Sequence, residues 1–201
     1  MDNSVTDTTL AYYAANAQAF ADSTRDVEFA AMRGRFTSLL GPGARILDLG
    51  CGSGRDARAF LEEGFDVTAT DGSPEMCAIA ERTTGIPVRH QLFQNLDDVG
   101  AYDGVWACSS ILHLPKDQLA DVLRRVGRAL SPRGIVYTSF KYGGFEGMRN
   151  GRYFTDFTEP TLREFLPATG AGLSIEQLWT TSDVRPGRGE ERWLNVILRK
   201  S

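Results

Sequence analysis

At 201 residues, with 42% hydrophobic and 24% charged side chains, the chain can bury a sizeable core and is too mixed for a disordered or fibrous protein. A net charge of −4 argues against broad binding to a nucleic-acid backbone and leaves room only for a local basic patch. No apolar run approaches membrane-spanning length and the start is polar and acidic, so a cytoplasmic protein with no membrane attachment is expected. Cys51, Cys77 and Cys108 cannot all pair. They read as small, largely buried side chains in a reducing compartment, and no spacing suggests a metal site.

Two helical patterns open the chain. Residues 10–21 are rich in helix formers, with Tyr13, Ala17 and Phe20 on one face. Residues 26–40 repeat Phe29, Met32, Phe36 and Leu40 about one turn apart until Gly41-Pro42-Gly43 breaks the pattern. Strand and helix then alternate. A buried strand is expected at 44–49, a helix at 55–63 ended by Gly64, and a strand at 66–70. Ser73-Pro74-Glu75 starts a helix with an N-cap, a proline in the first position and an early acid, and this helix runs to about residue 83. Strands follow at 88–92 and 104–107. The helix at 116–130 gathers Leu119, Val122, Leu123, Val126 and Leu130 on one face and is closed by Ser131-Pro132-Arg133-Gly134. A strand at 135–140, a helix at 159–166 and strands at 173–180 and 193–198, flanking a polar loop, complete the pattern. The reading is one α/β domain over 1–201, with residues 1–40 as a helical lid. Its sheet is mostly parallel and ends in an antiparallel hairpin, with helices on both faces.

Leu47-Asp48-Leu49-Gly50-Cys51-Gly52-Ser53-Gly54-Arg55-Asp56 lies between a strand and a helix. Its glycines allow a tight turn in which backbone comes close to a ligand. Both a dinucleotide and S-adenosylmethionine could use such a turn. Asp48 favours the second, because a carboxylate there repels a pyrophosphate and attracts an ammonium. The glycine spacing also departs from the dinucleotide fingerprint. Asp71, at the end of the next strand, can accept hydrogen bonds from ribose hydroxyls and is compatible with either cofactor.

The stretch resembles motif I of the class I S-adenosylmethionine-dependent methyltransferases, and the likeness covers nearly the whole chain. It continues through Tyr12-Tyr13 and Asn16, through Val67-Thr68-Ala69-Thr70 before Asp71, and through Gly72-Ser73-Pro74-Glu75-Met76 after it. Further on it includes 140–143, Gly151-Arg152-Tyr153-Phe154-Thr155-Asp156, 183–188 and Trp193-Leu194-Asn195. Together these are similar to a group of small bacterial methyltransferases often labelled tellurite-resistance-like. The label reads as a homology-derived name and not as a demonstrated substrate.

This resemblance implies a Rossmann-like seven-stranded sheet and S-adenosyl-L-methionine as cofactor. It implies contacts from Asp48, Gly50, Cys51, Gly52 and Arg55 at the glycine turn, and from Asp71, Gly72 and Ser73 beside the ribose. Met76, Phe93 and Gln94 would meet the adenine, with glutamine where many relatives carry an acid. Cys108 and Ser109 would run past the methionine part, and Tyr13 and Asn16 would cover the cofactor.

A sulfonium methyl needs only an in-line nucleophile and exclusion of water; a metal is not required. His113, after the fourth strand, is the candidate general base, whereas His90 inside a strand reads as structural. Two late loops concentrate cations and aromatics. Tyr142, Arg152, Tyr153, Arg185 and Trp193 are the candidate acceptor-binding residues, although Glu146, Asp156, Asp183, Glu190 and Glu191 could neutralise those cations locally. The leading expectation is methyl transfer to a small anionic molecule. A tRNA or peptide methyltransferase and a non-catalytic S-adenosylmethionine-binding module are the alternatives; an NAD enzyme has the least support.

Overall fold

The computed structural model describes residues 4–25, 27–185 and 187–201. The expected helix start at Asp26, the loop residue Pro186 and the polar start at Met1–Asn3 lie outside the described residues.

Alternating side chains explain how the sheet is buried on both faces. The strands are β1 (Arg45–Leu49), β2 (Asp66–Asp71), β3 (Val88–His90), β4 (Tyr102–Ala107), β5 (Leu130–Lys141), β6 (Glu146–Arg149), β7 (Arg152–Thr155), β8 (Leu173–Ser182) and β9 (Arg192–Lys200). Leu47, Leu49, Val105, Ala107 and Val136 point to one core, packed with Leu119, Val122, Leu123 and Val126 of α5 (Lys116–Ala129) and Leu162 and Leu166 of α6 (Glu159–Ala168). Ile46, Trp106, Ile135 and Tyr137, each one residue out of phase with those, point to the other. There they meet Phe36 of α2 (Ala30–Thr37), Ala57 and Phe60 of α3 (Arg55–Glu62) and Cys77 and Ala80 of α4 (Pro74–Thr84).

The seven-stranded sheet has the order β3-β2-β1-β4-β5-β9-β8. Its first five strands are parallel, and β9 runs against both β5 and β8. This is the seven-stranded, mostly parallel sheet with an antiparallel C-terminal hairpin that the sequence led one to expect. The carboxyl ends of β1, β2 and β4 therefore share one edge, which is where an open α/β sheet leaves a crevice. The first helix, α1 (Ser4–Thr24), packs on α4 and β7 at that edge. No helix among the described residues is long and apolar enough to cross a membrane.

Several boundaries differ from expectation. The described part of the second helix is only Ala30–Thr37: Phe29 stands at its N-cap with no side-chain cap bond, and 38–40 are turn. α5 stops at Ala129, and Ser131-Pro132-Arg133-Gly134 is absorbed into β5 as an irregularity, with Arg133 at φ 64°. β3 ends at His90, and Phe93–Asn95 forms a 3-10 turn. The loop after β5 contains a second, two-stranded sheet, β6 paired with β7, which was not anticipated. Its turn is Asn150-Gly151, with φ of 51° and 76°, the left-handed pair that a tight hairpin requires.

Candidate functional site

The turn after β1 can be built only with glycine at two points. A Cβ on Gly50 (φ 77°) would stand 2.6 Å from Ser110 Cβ, and one on Gly54 (φ 78°) would stand 2.9 Å from Thr84. The turn is tied to β2 by Gly50 and Cys51, whose N–H groups both donate to the Thr70 carbonyl at 2.9 Å. Gly52 N–H donates to Asp71 Oδ2 and Ser73 N–H to Asp71 Oδ1, each at 2.9 Å. The Asp71 carboxylate is thus fixed in direction, while each oxygen keeps capacity for a further donor. Burial raises its pKa, against the pull of those backbone N–H groups.

Two buried acids beside the turn have opposite fates. Asp56 accepts from Arg33 at 2.9 Å, from Arg55 through both nitrogens of its fork, and from the Trp106 ring N–H at 3.1 Å. Burial works most strongly against its ionisation, but the charge and hydrogen bonds of Arg55, the Arg33 charge and the Trp106 N–H together outweigh it and the pKa is lowered. Asp48 is 2% exposed, and its Oδ2 has no hydrogen-bond partner among the described residues. Burial first, and the Asp56 charge second, push its pKa well above the usual carboxylate range. A buried carboxylate in this condition awaits a donor or a cation.

A cavity of about 670 Å³ runs from this turn to the β7 and β9 side of the sheet edge. Of the residues singled out from sequence, Tyr13, Asp48, Gly50, Cys51, Gly52, Arg55, Asp71, Gly72, Met76, Phe93, Gln94, Cys108, Ser109, His113, Arg152, Arg185 and Trp193 line it. Gln94 donates to Gln118 at 3.1 Å, and its own buried Oε1 is unpartnered. The Cys108 thiol is pushed up to about 12 by burial, and that of Cys51 is also raised well above its usual value; both stay protonated and act as packing.

Four residues do not line this cavity. Asn16 is exposed and its side-chain amide donates to the Tyr12 carbonyl one turn back. Ser73 is buried as the N-cap of α4, accepting from Met76 N–H. Tyr142 is 38% exposed and lines a second, neighbouring hollow, with Arg192 over its ring. The Tyr153 hydroxyl reaches away to Glu146, and only its backbone faces the site.

That backbone fixes the protonation of His113, in the 3-10 turn Ile111–His113. His113 Nδ1 lies 2.6 Å from the Tyr153 carbonyl, which can only accept, so Nδ1 carries the proton. Nε2 then accepts from the Tyr13 hydroxyl at 2.9 Å. Arg152 donates in turn to the Tyr13 oxygen at 3.5 Å and stacks 4.5 Å above the Tyr12 ring and 5.3 Å from Phe154. With both nitrogens engaged, His113 does not have the free lone pair of the expected base.

Arg152 and Arg185 also differ. Arg185 closes a fork onto Asp183, which additionally accepts from Lys141 at 3.2 Å and from the Trp193 ring N–H at 3.0 Å. Burial opposes ionisation of Asp183, yet the Arg185 hydrogen bonds hold its pKa far below the usual range. Lys141 is also paired with Glu191. The expected anion grip of Arg185 is therefore already taken up inside the protein. Arg152 has no carboxylate within ion-pair distance among the described residues, and its Nε is buried without a partner. It also borders the second hollow, a vestibule of about 630 Å³ lined by Lys141, Arg149, Arg152, Arg188 and Arg192 against Asp156, Glu190 and Glu191.

Sequence reasoning gave no role to Ser139, Asn195 or Thr9, although Asn195 belongs to a stretch that carries the resemblance. Ser139 Oγ accepts from Ser109 N–H at 3.0 Å and holds that residue at φ 53°. Asn195 bridges the Tyr137 hydroxyl and Thr181, and Thr9 accepts from Tyr153 N–H. A polar residue inside an apolar strand was the available signal for the first two; nothing marked Thr9.

Residues 46–134 match the family model described as "Methyltransferase domain". The chain is 34% identical over 105 residues to the ubiquinone biosynthesis O-methyltransferase of Xanthomonas campestris pv. campestris (strain B100), an overlap of 49% of this chain and 43% of that protein. The chain thus spans less than half the length of the curated relative it matches. Over its whole length it superposes on Burkholderia thailandensis 1,6-didemethyltoxoflavin-N1-methyltransferase with bound 1,6-didemethyltoxoflavin and S-adenosylhomocysteine (TM-score 0.81, 27% identity, 91% of that chain). It likewise superposes on the DhpI–SAH complex (TM-score 0.74, 25% identity, 99% of that chain).

Proposed function

We propose that this chain, which has the S-adenosylmethionine-dependent methyltransferase fold and carries its domain over residues 46–134, transfers the cofactor methyl to a small anionic acceptor held at Arg152. The cavity's unfilled polar positions suit that cofactor. Asp71 has capacity left for ribose hydroxyls, the orphaned Asp48 oxygen suits an ammonium, and the orphaned Gln94 Oε1 suits an adenine amino group. Met76 and Phe93 would flank the base, with Cys108 and Ser109 along the methionine part. When bound, S-adenosylmethionine supplies an electrophilic methyl whose leaving group is a neutral thioether. The chain's own contribution is then to hold the acceptor in line and keep water out, which can lower a barrier by up to roughly 7–11 kcal/mol. In this reading α1 is a lid that brings Tyr13 over the site.

The observation that carries the anionic acceptor is Arg152, a cation stacked on aromatic rings in the cavity wall with its Nε unpartnered. Arginine in that setting reads planar oxyanions through its fork. The small-molecule acceptor named for the Burkholderia thailandensis neighbour supports the size class. A cytoplasmic setting, supported by three free thiols, and the likeness to the tellurite-resistance-like group belong to the same reading. The test is a screen of metabolite extracts with methyl-labelled cofactor, repeated with Arg152→Ala. The variant should keep cofactor affinity by calorimetry and lose acceptor turnover, mainly in kcat/KM. Full turnover of an anionic acceptor by Arg152→Ala would reject the assignment.

A further inference from the structure

The acceptor half of the cavity offers a positive charge but no free proton acceptor. From α1, Tyr13 has its hydroxyl proton committed to His113 and its oxygen facing Arg152. His113 is bonded at both nitrogens, with Tyr13 on one side, the Tyr153 carbonyl on the other and the Phe154 ring 4.7 Å away. Asp183, from the segment after β8, has both oxygens occupied by Arg185, Lys141 and Trp193. Lys141 is ion-paired, and Arg188 lies 3.8 Å from Glu191. Glu28, before α2, is an exposed carboxylate on the cavity wall that accepts from Ala30 N–H through one oxygen only and stands outside the Arg152 cluster, while Asp48, Asp56 and Asp71 stand around the glycine turn. A nucleophile beside Arg152 that had to lose a proton during transfer would meet only side chains whose acceptor atoms are already hydrogen-bonded.

Resting on the anionic-acceptor reading above, we propose that the acceptor's anion is itself the nucleophile. The substrate is a small, flat acid that enters already ionised, pairs its charge with Arg152 and loses that charge on methylation. A lone pair of the ionised oxygen or nitrogen forms the bond to the methyl carbon. The carbon–sulfur bond breaks, and its electron pair stays on sulfur. The acceptor's negative charge and the sulfonium's positive charge cancel, and no proton moves. The flat shape suits the planar Arg152 fork and the Tyr13 and Phe154 rings that line the cavity beside it. Arg152 loses its partner when the product becomes neutral, so the product is held less tightly than the substrate.

The test uses the full chain with S-adenosylmethionine and a panel of phenols, aromatic carboxylic acids and their methyl esters, of graded acidity. Turnover is read alongside calorimetric binding. Ionised members should bind and accept methyl at the atom that carried the charge, located by NMR of the product. Rates should be flat above the acceptor's own pKa and fall about tenfold per pH unit below it. They should be equal in H2O and D2O, and binding enthalpies should agree in phosphate and Tris. His113→Gln should leave the shape of the pH profile in place. Arg152→Met should lose the preference for acid over ester, and Arg152→Lys should restore part of it. Methylation of an atom that was protonated, with the charge persisting in the product, would overturn the inference while the anionic-acceptor reading stands. A pH profile that moves with His113→Gln would do the same. Esters bound and methylated as well as acids, or no acid bound at all, would overturn both.

Discussion

His113 cannot take another proton without losing a buried hydrogen bond, because Nδ1 donates to a carbonyl and Nε2 accepts from a phenol. Burial, assisted by the Arg152 charge and opposed by the Tyr153 carbonyl, brings its pKa to about 4. This lies below the value of about 6.5 for an unfolded chain, so between the two the unfolded chain binds more protons. The resulting stability is fully present above about pH 6.5 and is lost as pH falls toward about 4, by roughly 3 kcal/mol. Urea unfolding across that window should show the loss in wild type and much less of it in His113→Gln; parallel curves would remove His113 as its source. Asp71→Ala should weaken cofactor binding by about 1.5–3 kcal/mol, the range for hydrogen bonds to a charged group. Calorimetry on the folded variant checks it, and unchanged affinity would take Asp71 out of the ribose site. At this scale the sequence made Asp48 and Asp71 legible, since a strand end followed by a glycine turn fixes where such acids stand. It could not separate Arg152 from Arg185, because pairing of Arg185 with Asp183 depends on a loop conformation that residue types do not encode.

Asp56 shows how a single side chain joins elements. It starts on α3, meets Arg33 of α2 and the Trp106 ring of β4, and is held by its neighbour Arg55. Asp56→Ala would leave Arg33 and Arg55 half-buried without a counter-charge, a loss of about 3–5 kcal/mol by analogy with other broken buried pairs. Denaturant unfolding measures it, and a loss under about 1 kcal/mol would mean that water replaces the acid without penalty. Strand and helix order was readable because burial on both faces forces apolar runs. The hairpin β6–β7 was overlooked although Asn150-Gly151 is a strong hairpin signal. Its flanks carry cations and aromatics instead of a clean apolar alternation, so composition outweighed the turn. The irregular start of β5 went the other way: Pro132 and Gly134 look like a loop, yet they sit as a bulge in a ladder that continues around them.

Across the whole molecule, α1 joins parts of the site that the sheet alone does not bring together. Leu10 lies over Gly72, Thr9 receives the Tyr153 N–H, and Tyr12 and Tyr13 meet Arg152 and His113. The helix was legible from its formers, and the resemblance set Tyr13 over the site, but the contacts that dock it were not legible, since they fall on backbone groups and on a hairpin far along the chain. The vestibule beside Arg152 has a consequence for how fast ligands arrive. Five cationic side chains face three acidic ones there, in a chain whose net charge is −4. An incoming anion is repelled at long range and drawn in only within reach of this mouth, where field lines are focused by the walls. Ionic strength damps both effects over a distance of about 10 Å at 0.1 M salt. Stopped-flow association of an anionic acceptor should therefore slow several-fold between about 0.05 and 0.5 M salt, whereas an uncharged ester of the same shape should arrive at a salt-independent rate. Identical salt slopes for the two would mean that the mouth steers nothing, and that acceptors reach Arg152 by unaided diffusion.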